Sequence, residues 1–158
     1  MFIFSFENKK YPMKFLSVML CFSIIAAVAS FIFNVDWKIK RTAEYNGQKY
    51  STSAKNISEI KHLAENFGIN IADDSPIIEN IRIPMQFNSV YQEYNSLQHD
   101  IGMDLEKYRG EDCKKYTFDT DENCVLNIIV YNNHFIGGDI SEKEFNGKIK
   151  SIGSDMIQ

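Results

Sequence analysis

Nineteen consecutive residues, Phe15 to Phe33, carry no charge and almost no polarity. As a helix they would rise about 28 Å, close to the hydrocarbon thickness of a bilayer. A core helix of that length keeps a polar face, and this run has none, so it reads as a membrane anchor. Trp37 follows at the place of an interfacial aromatic. The run divides the chain into a short basic head at 1–14, a transmembrane helix or signal anchor at 15–33, a juxtamembrane spacer at 34–52 and a globular domain at 53–158.

Two details of the run stay open. Ala27-Val28-Ala29 before Ser30 has the small-x-small form of a cleavage site, but Phe31-Ile32-Phe33 continue the apolar stretch beyond it. Met13-Lys14 offers a second natural start after Met1. Lysines and arginines flank both ends, so topology is read from layout: a short head before a whole domain puts the domain outside the cytoplasm. Cys21 has the large Leu20 before it, which speaks against a lipidated cysteine.

Residues 34–158 hold 14 Lys and Arg against 20 Asp and Glu. A surface that acidic lacks the basic face needed for phosphate backbones, which excludes nucleic acid as the partner.

Periodicity gives the element order. Ile57, Ile60, Leu63, Ala64 and Phe67 form one stripe of a helix over 53–67, with Gly68 at its end. Ile77 to Ile83 alternates as a strand stopped by Pro84. A second helix over 86–100 presents Phe87, Val90, Tyr91, Tyr94, Leu97 and Ile101. Cys113 to Phe118 is a strand, and Cys124 to Tyr131 is apolar on both faces, the mark of a central strand. Asn132-Asn133 suits a two-residue hairpin turn, with Tyr131 opposite His134, Ile129 opposite Ile136, and Gly137-Gly138 facing Asn127 and Ile128. Two adjacent glycines in a strand predict a bulge, a bend or close backbone approach. Phe145, Ile149 and Ile152 fit a short terminal helix interrupted by Gly147. The economical solution is an α+β fold: an N-terminal transmembrane helix, then a small domain with helices packed on one face of an antiparallel sheet.

The chemistry-bearing residues resist assembly into a site. His62, His99 and His134 are more than thirty residues apart and Cys113 and Cys124 form no C-x-x-C, so no metal and no cofactor are expected. Asp119, Asp121 and Asn123 copy the start of a calcium loop, but Cys124 stands where its glycine belongs. Neither thiol has a local activating group, and a bridge between them is left open. Gly137-Gly138-Asp139 matches the first three residues of the Gly-Gly-Asp-Glu-Phe motif of cyclic-dinucleotide synthases, yet Ile140-Ser141 follow. Tyr91, Tyr94 and Tyr108 suggest an aromatic cage, against the plainer reading of boundary tyrosines.

One run of motifs resembles a known family. Ile83-Pro84, Phe87, Val90-Tyr91, Tyr94-Asn95, Leu97-Gln98, Gly102, Asp104-Leu105, Tyr108, Gly110, Tyr116-Thr117, Val130-Tyr131 and Ile136-Gly137-Gly138-Asp139-Ile140 resemble a domain-of-unknown-function family of small single-anchor proteins from Gram-positive, clostridia-like bacteria. The resemblance covers about 55–153 and implies an anchored context and a single fold, but no activity. Here the Asp119–Asn123 loop is shorter than that pattern.

The expected function is a non-enzymatic module at the cell envelope, tethered through Phe15–Phe33, that binds a protein or envelope ligand. Tyr108, Gly137, Gly138 and Asp139 are its candidate binding residues, and no catalytic residue is assigned. The alternatives are a small envelope hydrolase using His99, Asp100, Asp104 or Asp139, and a membrane-bound sensor or anti-sigma-like regulator.

Overall fold

The computed structural model describes residues 12–73, 75–120, 124–143 and 147–154, with side chains of the first helix described from Val18 to Ser30. The chain divides into two compact units, Met1–Lys38 and Ile39–Gln158. The Met1–Lys38 unit contains helix α1, Pro12–Trp37. Its apolar residues are spread around the whole circumference, and Leu20, Phe22, Ile24 and Ile25 are all exposed. Among the described residues no helix is long and apolar enough to cross a membrane. The basic head at 1–14 falls mostly outside the described residues.

The second unit is an α+β domain built on a five-stranded antiparallel sheet. Its strands are β3 (Ile77–Arg82), β4 (Asp112–Asp119), β5 (Cys124–Tyr131), β6 (His134–Glu142) and β7 (Ile149–Ser151), lying side by side in that order. As the apolar character of both its faces requires, β5 is central. Before the sheet come the hairpin β1 (Thr42–Tyr45) and β2 (Gln48–Ser51) and helix α2 (Ile57–Glu65); helix α3 (Ser89–Asp100) and a 3-10 turn (Leu105–Tyr108) lie between β3 and β4.

Four features depart from the sequence reading. The stretch read as a spacer contains the β1–β2 hairpin, turned by Asn46 (φ 50°) and Gly47 (φ 76°). It buries Ala43 and Tyr50 in the core. One buried residue per four-residue strand is too little apolar pattern to register as structure. Helix α2 starts at Ile57 because Asn56 caps it: its side chain accepts from the Glu59 amide at 2.9 Å, while Glu59 accepts from the Lys55 amide at 3.0 Å. Ser53, three residues earlier, bridges to His134 as an extended residue.

The terminal helix is absent among the described residues. β6 runs on to Glu142, and Ile149–Ser151 pair back onto it as β7. Phe145 lies outside the described residues. With one of its three apolar positions beyond that segment, Ile149 and Ile152 are spaced as easily for a strand and its exit as for a helical face.

Lastly, the helices do not share one face. Leu126, Ile128 and Val130 of β5 join Ile60, Leu63 and Ala64 of α2 in the larger core. Ile129 faces the other way, into a smaller core with Ile83, Leu105, Tyr108, Cys113 and Ile136, against which Tyr91 and Tyr94 of α3 pack. Strand side chains alternate, so α2 and α3 cover opposite faces. A central strand apolar on both sides needs a cover on both sides, which the one-face arrangement does not supply.

Cys113 and Cys124 are both buried and unbridged. Cys113 opens β4 and Cys124 opens the antiparallel β5, which places them toward opposite ends of the pair.

Candidate functional site

Helix α3 carries an inward face that is polar. Its buried residues are Asn95 and Gln98, whereas Val90, expected on the apolar face, is exposed. Burying carboxamides costs free energy unless both ends are bonded. Gln98 Oε1 accepts from the Gly138 amide at 2.8 Å, and its Nε2 donates to the Tyr94 carbonyl at 3.2 Å. Asn95 Oδ1 accepts from the Leu105 amide at 2.7 Å, and its Nδ2 donates to Asp104 Oδ1 at 3.2 Å.

A second chain of bonds starts from Asp139, which is 6% exposed. Its Oδ1 accepts from the Tyr94 hydroxyl at 2.7 Å and its Oδ2 from Asn127 Nδ2 at 2.9 Å. Asn127 Oδ1 in turn accepts from the Thr117 hydroxyl at 2.8 Å. The line therefore crosses β4, β5 and β6 and ends on α3. Burial pushes the Asp139 carboxyl above the ordinary carboxylate range and outweighs the two donors that favour its charge. Burial, then the adjacent Asp139, drives the Tyr94 hydroxyl upward as well.

A bulge makes this line possible. Tyr131 pairs with His134 and Val130 with Phe135, but Ile129 pairs with Gly137. The sequence register, Ile129 opposite Ile136, is thus shifted by one residue. Without the shift Asp139 would lie opposite Leu126, whose side chain belongs to the α2 core. With it Asp139 lies opposite Asn127. The two glycines serve the same junction. A methyl on Gly137 would come within 2.8 Å of Gln98 Oε1, and one on Gly138 would overlap the Asn127 carbonyl.

Of the residues expected to bind, Gly137, Gly138 and Asp139 meet at this α3–sheet junction, and all are buried. Tyr108 is elsewhere in the smaller core, its ring 5.4 Å from that of Tyr131 and its hydroxyl pushed up to about 12, mainly by burial. The tyrosine cage does not form: Tyr91 contacts Phe87 at 4.6 Å and Tyr94 at 5.8 Å in a packed cluster, and Tyr108 pairs with Tyr131 instead.

Of the hydrolase residues, only His99 and Asp104 approach one another. Their Nε2 and Oδ1 atoms are 3.6 Å apart, and His99 is largely exposed. Burial opposes the Asp104 charge, but hydrogen bonds from Asn95, the Glu106 amide and His99 hold its carboxyl below the usual range. Such a pair orients an imidazole. Among the described residues no serine, threonine or cysteine hydrogen-bonds to His99. Nor, among the described residues, do three His, Cys, Asp or Glu side chains converge as a metal site. The calcium-like loop is only partly described, since 121–123 lie outside the described residues. Asp119 makes an ion pair with Lys143 at 3.1 Å.

Sequence reading singled out Asp139 but missed Tyr94, Gln98, Asn127 and Thr117 as its setting. Asn127 was the available signal: it is the one polar side chain inside Val125–Tyr131. An open groove of about 560 Å³ lies on the domain beside β3, lined in part by Asn80, Arg82, Asp112 and Tyr116 and by the Asn132-Asn133 turn. No protein-family model, curated protein or solved structure matches the chain.

Proposed function

We propose that the chain is a single-pass, membrane-tethered module whose Ile39–Gln158 domain lies outside the cytoplasm and binds an envelope component without catalysing a reaction. The observation that carries the tether is the helix around Phe15–Phe33. Its described side chains, Val18 to Ser30, are apolar around the helix apart from Ser23 and Ser30, whose hydroxyls donate back to the Leu20 and Ala27 carbonyls, and all but Ala29 are exposed, Phe22 to 71%. Leucine, isoleucine and phenylalanine arrayed so around a helix are stable against lipid and unstable against water. The resemblance of the Ile83–Ile140 motifs to anchored domains supports the same placement.

A binding role is favoured over catalysis by how the buried polar groups are used. Tyr94, Asp139 and Asn127 satisfy one another, Gln98 is satisfied by the Gly138 amide and the Tyr94 carbonyl, and together they hold α3 to the sheet, leaving them occupied with structure.

Fractionation of the native chain tests the tether. The intact chain is expected to sediment with membranes, to resist carbonate extraction, and to lose its domain to protease added outside intact cells. A mature species starting at Ser30 in the soluble fraction overturns the tether, and protection of the domain from external protease overturns its orientation.

A further inference from the structure

We propose that β3 is a pairing edge for a second copy of this chain, the two strands running antiparallel across a two-fold axis at Asn80. β3 ends the five-stranded sheet, so its outer edge has no neighbouring strand among the described residues. The Ile83 amide donates to the Glu111 carbonyl at 3.0 Å and the Ile83 carbonyl accepts from the Gly110 amide at 2.8 Å, so Ile83 bonds toward the β4 side. By alternation the backbone groups of Ile77, Glu79 and Ile81 also point at β4, and those of Ile78, Asn80 and Arg82 point outward. Those outward groups are what a further strand would bond.

Sheet edges are ordinarily blunted by lysine, proline, a bulge or shortness. The opposite edge follows that rule: β7 has three residues and carries Lys150. β3 pairs with β4 over six residues without a shift, and Ile77 and Ile78, on opposite faces, are 67% and 53% exposed. Its charges are matched within the copy. Glu79 pairs with Lys115 at 2.5 Å and Arg82 with Asp112 at 2.7 Å, so two such edges meet without like-charge repulsion. Lys114 lies one strand further in, on β4. Between two copies its counterparts would stand about 14 Å apart, beyond the Debye length.

The flanking prolines choose the register. Pro76 and Pro84 each lie four residues from Asn80, and neither can donate to a ladder. Outward residues pair with outward residues, so a two-fold at Asn80 sets Ile78 opposite Arg82 of the second copy and leaves both prolines outside. A centre at Glu79 puts Glu79 against itself and Pro76 opposite Arg82; a centre at Ile81 puts Pro84 opposite Ile78. Around Asn80 the exposed isoleucines also gain cover. Ile78 meets the aliphatic stem of Arg82, and Ile77 meets Ile83, which belongs to the smaller core. This fit is a property of two identical strands, which favours a second copy over an unrelated peptide. An edge this short buries less than a standard interface of about 1,600 Å², so the dimer is weak and concentration-dependent.

The test is sedimentation and cysteine cross-linking of the full chain with detergent micelles in excess. A monomer–dimer equilibrium is expected by about 1 mM chain. Asn80→Pro and Ile78→Lys, both at exposed positions, should weaken it at least about tenfold, and Ser58→Ala not at all. Opposed Asn80 Cα atoms would lie about 5.5 Å apart, within disulfide reach. In a Cys21→Ser background, with Cys113 and Cys124 buried, Asn80→Cys should therefore bridge two chains under mild oxidation. Ile78→Cys should do so only when mixed with Arg82→Cys chains. A chain still monomeric at about 1 mM overturns the proposal. So does a dimer that Asn80→Pro leaves intact, or bridging that is fastest at Glu79→Cys. A scrambled peptide of residues 77–83 that shifts the β3 backbone amides as strongly as the native sequence also overturns it, since any extended peptide would then fit the edge.

Discussion

The Tyr94 hydroxyl donates to Asp139 Oδ1 at 2.7 Å, and this bond ties the middle of α3 to β6 across the smaller core. Removing it leaves a buried carboxylate with Asn127 as its remaining side-chain donor. Tyr94→Phe keeps the ring and its packing, so the loss isolates the bond. A destabilisation of about 1–3 kcal/mol is expected, read as a lowered urea midpoint with an unchanged slope. An unchanged midpoint would show that the bond contributes nothing to holding α3.

Asp139 also sets a pH dependence. Its folded pKa is raised by burial, so the folded state holds this proton more tightly than the unfolded chain does. The contribution to stability is therefore fully present below the unfolded aspartate value of about 3.9 and is lost as pH rises through the folded value. Asp139→Asn removes the titration. Plotted against pH, the urea midpoint of the native chain minus that of the variant should fall with rising pH across that window. A difference that is flat or rises there contradicts a buried carboxyl at this position.

The glycine pair gives a graded test of packing. A Cβ at Gly138 would meet the Asn127 backbone and Ile152, neither of which yields easily; one at Gly137 meets the flexible end of Gln98 at 2.8 Å and Leu105 at 3.1 Å. Both substitutions to alanine overpack the junction, at a cost of about 1–3 kcal/mol or more. Gly138→Ala is expected to be the worse of the two in thermal melts. The reverse order would mean that Gln98 has no room to move.

Cys113 should be inert while the domain is folded. Burial, reinforced by Glu111 and Asp112, pushes its thiol up to about 11, so little thiolate exists near neutral pH. Alkylation at pH 8, located by peptide mass, is expected to spare Cys113 in the native chain and to modify it fully in urea. Rapid native labelling would require the smaller core to open.

Sequence periodicity made the strands from β3 to the Asn132-Asn133 turn legible, along with α2 and α3 to within a few residues. Those elements combine steady apolar spacing with turn residues whose backbone preference is strong. It did not reveal β1 and β2, whose buried residues are Ala43 and Tyr50, or the polar underside of α3. Asn95 and Gln98 look like solvent-facing residues on a helical wheel, because a buried carboxamide is recognisable only through its partners. Those partners, the Leu105 and Gly138 amides, come from elsewhere in the fold. The candidate site was legible in fragments: Gly137, Gly138 and Asp139 attracted notice as a group, while the bulge that aims them depends on pairing between strands and leaves no separate mark in local composition.

That bulge has a consequence for how the domain tolerates changes in length. Between His134 and Asp139 the strand carries one residue more than a regular ladder needs. Deleting one residue there would remove the bulge and leave the acid opposite Asn127, whereas adding one without a second bulge would turn Asp139 toward the aliphatic packing of α2 and leave Asn127 without its carboxylate. Natural length variation in this segment should therefore run one residue shorter more readily than one residue longer, or arrive with loss of the acid itself.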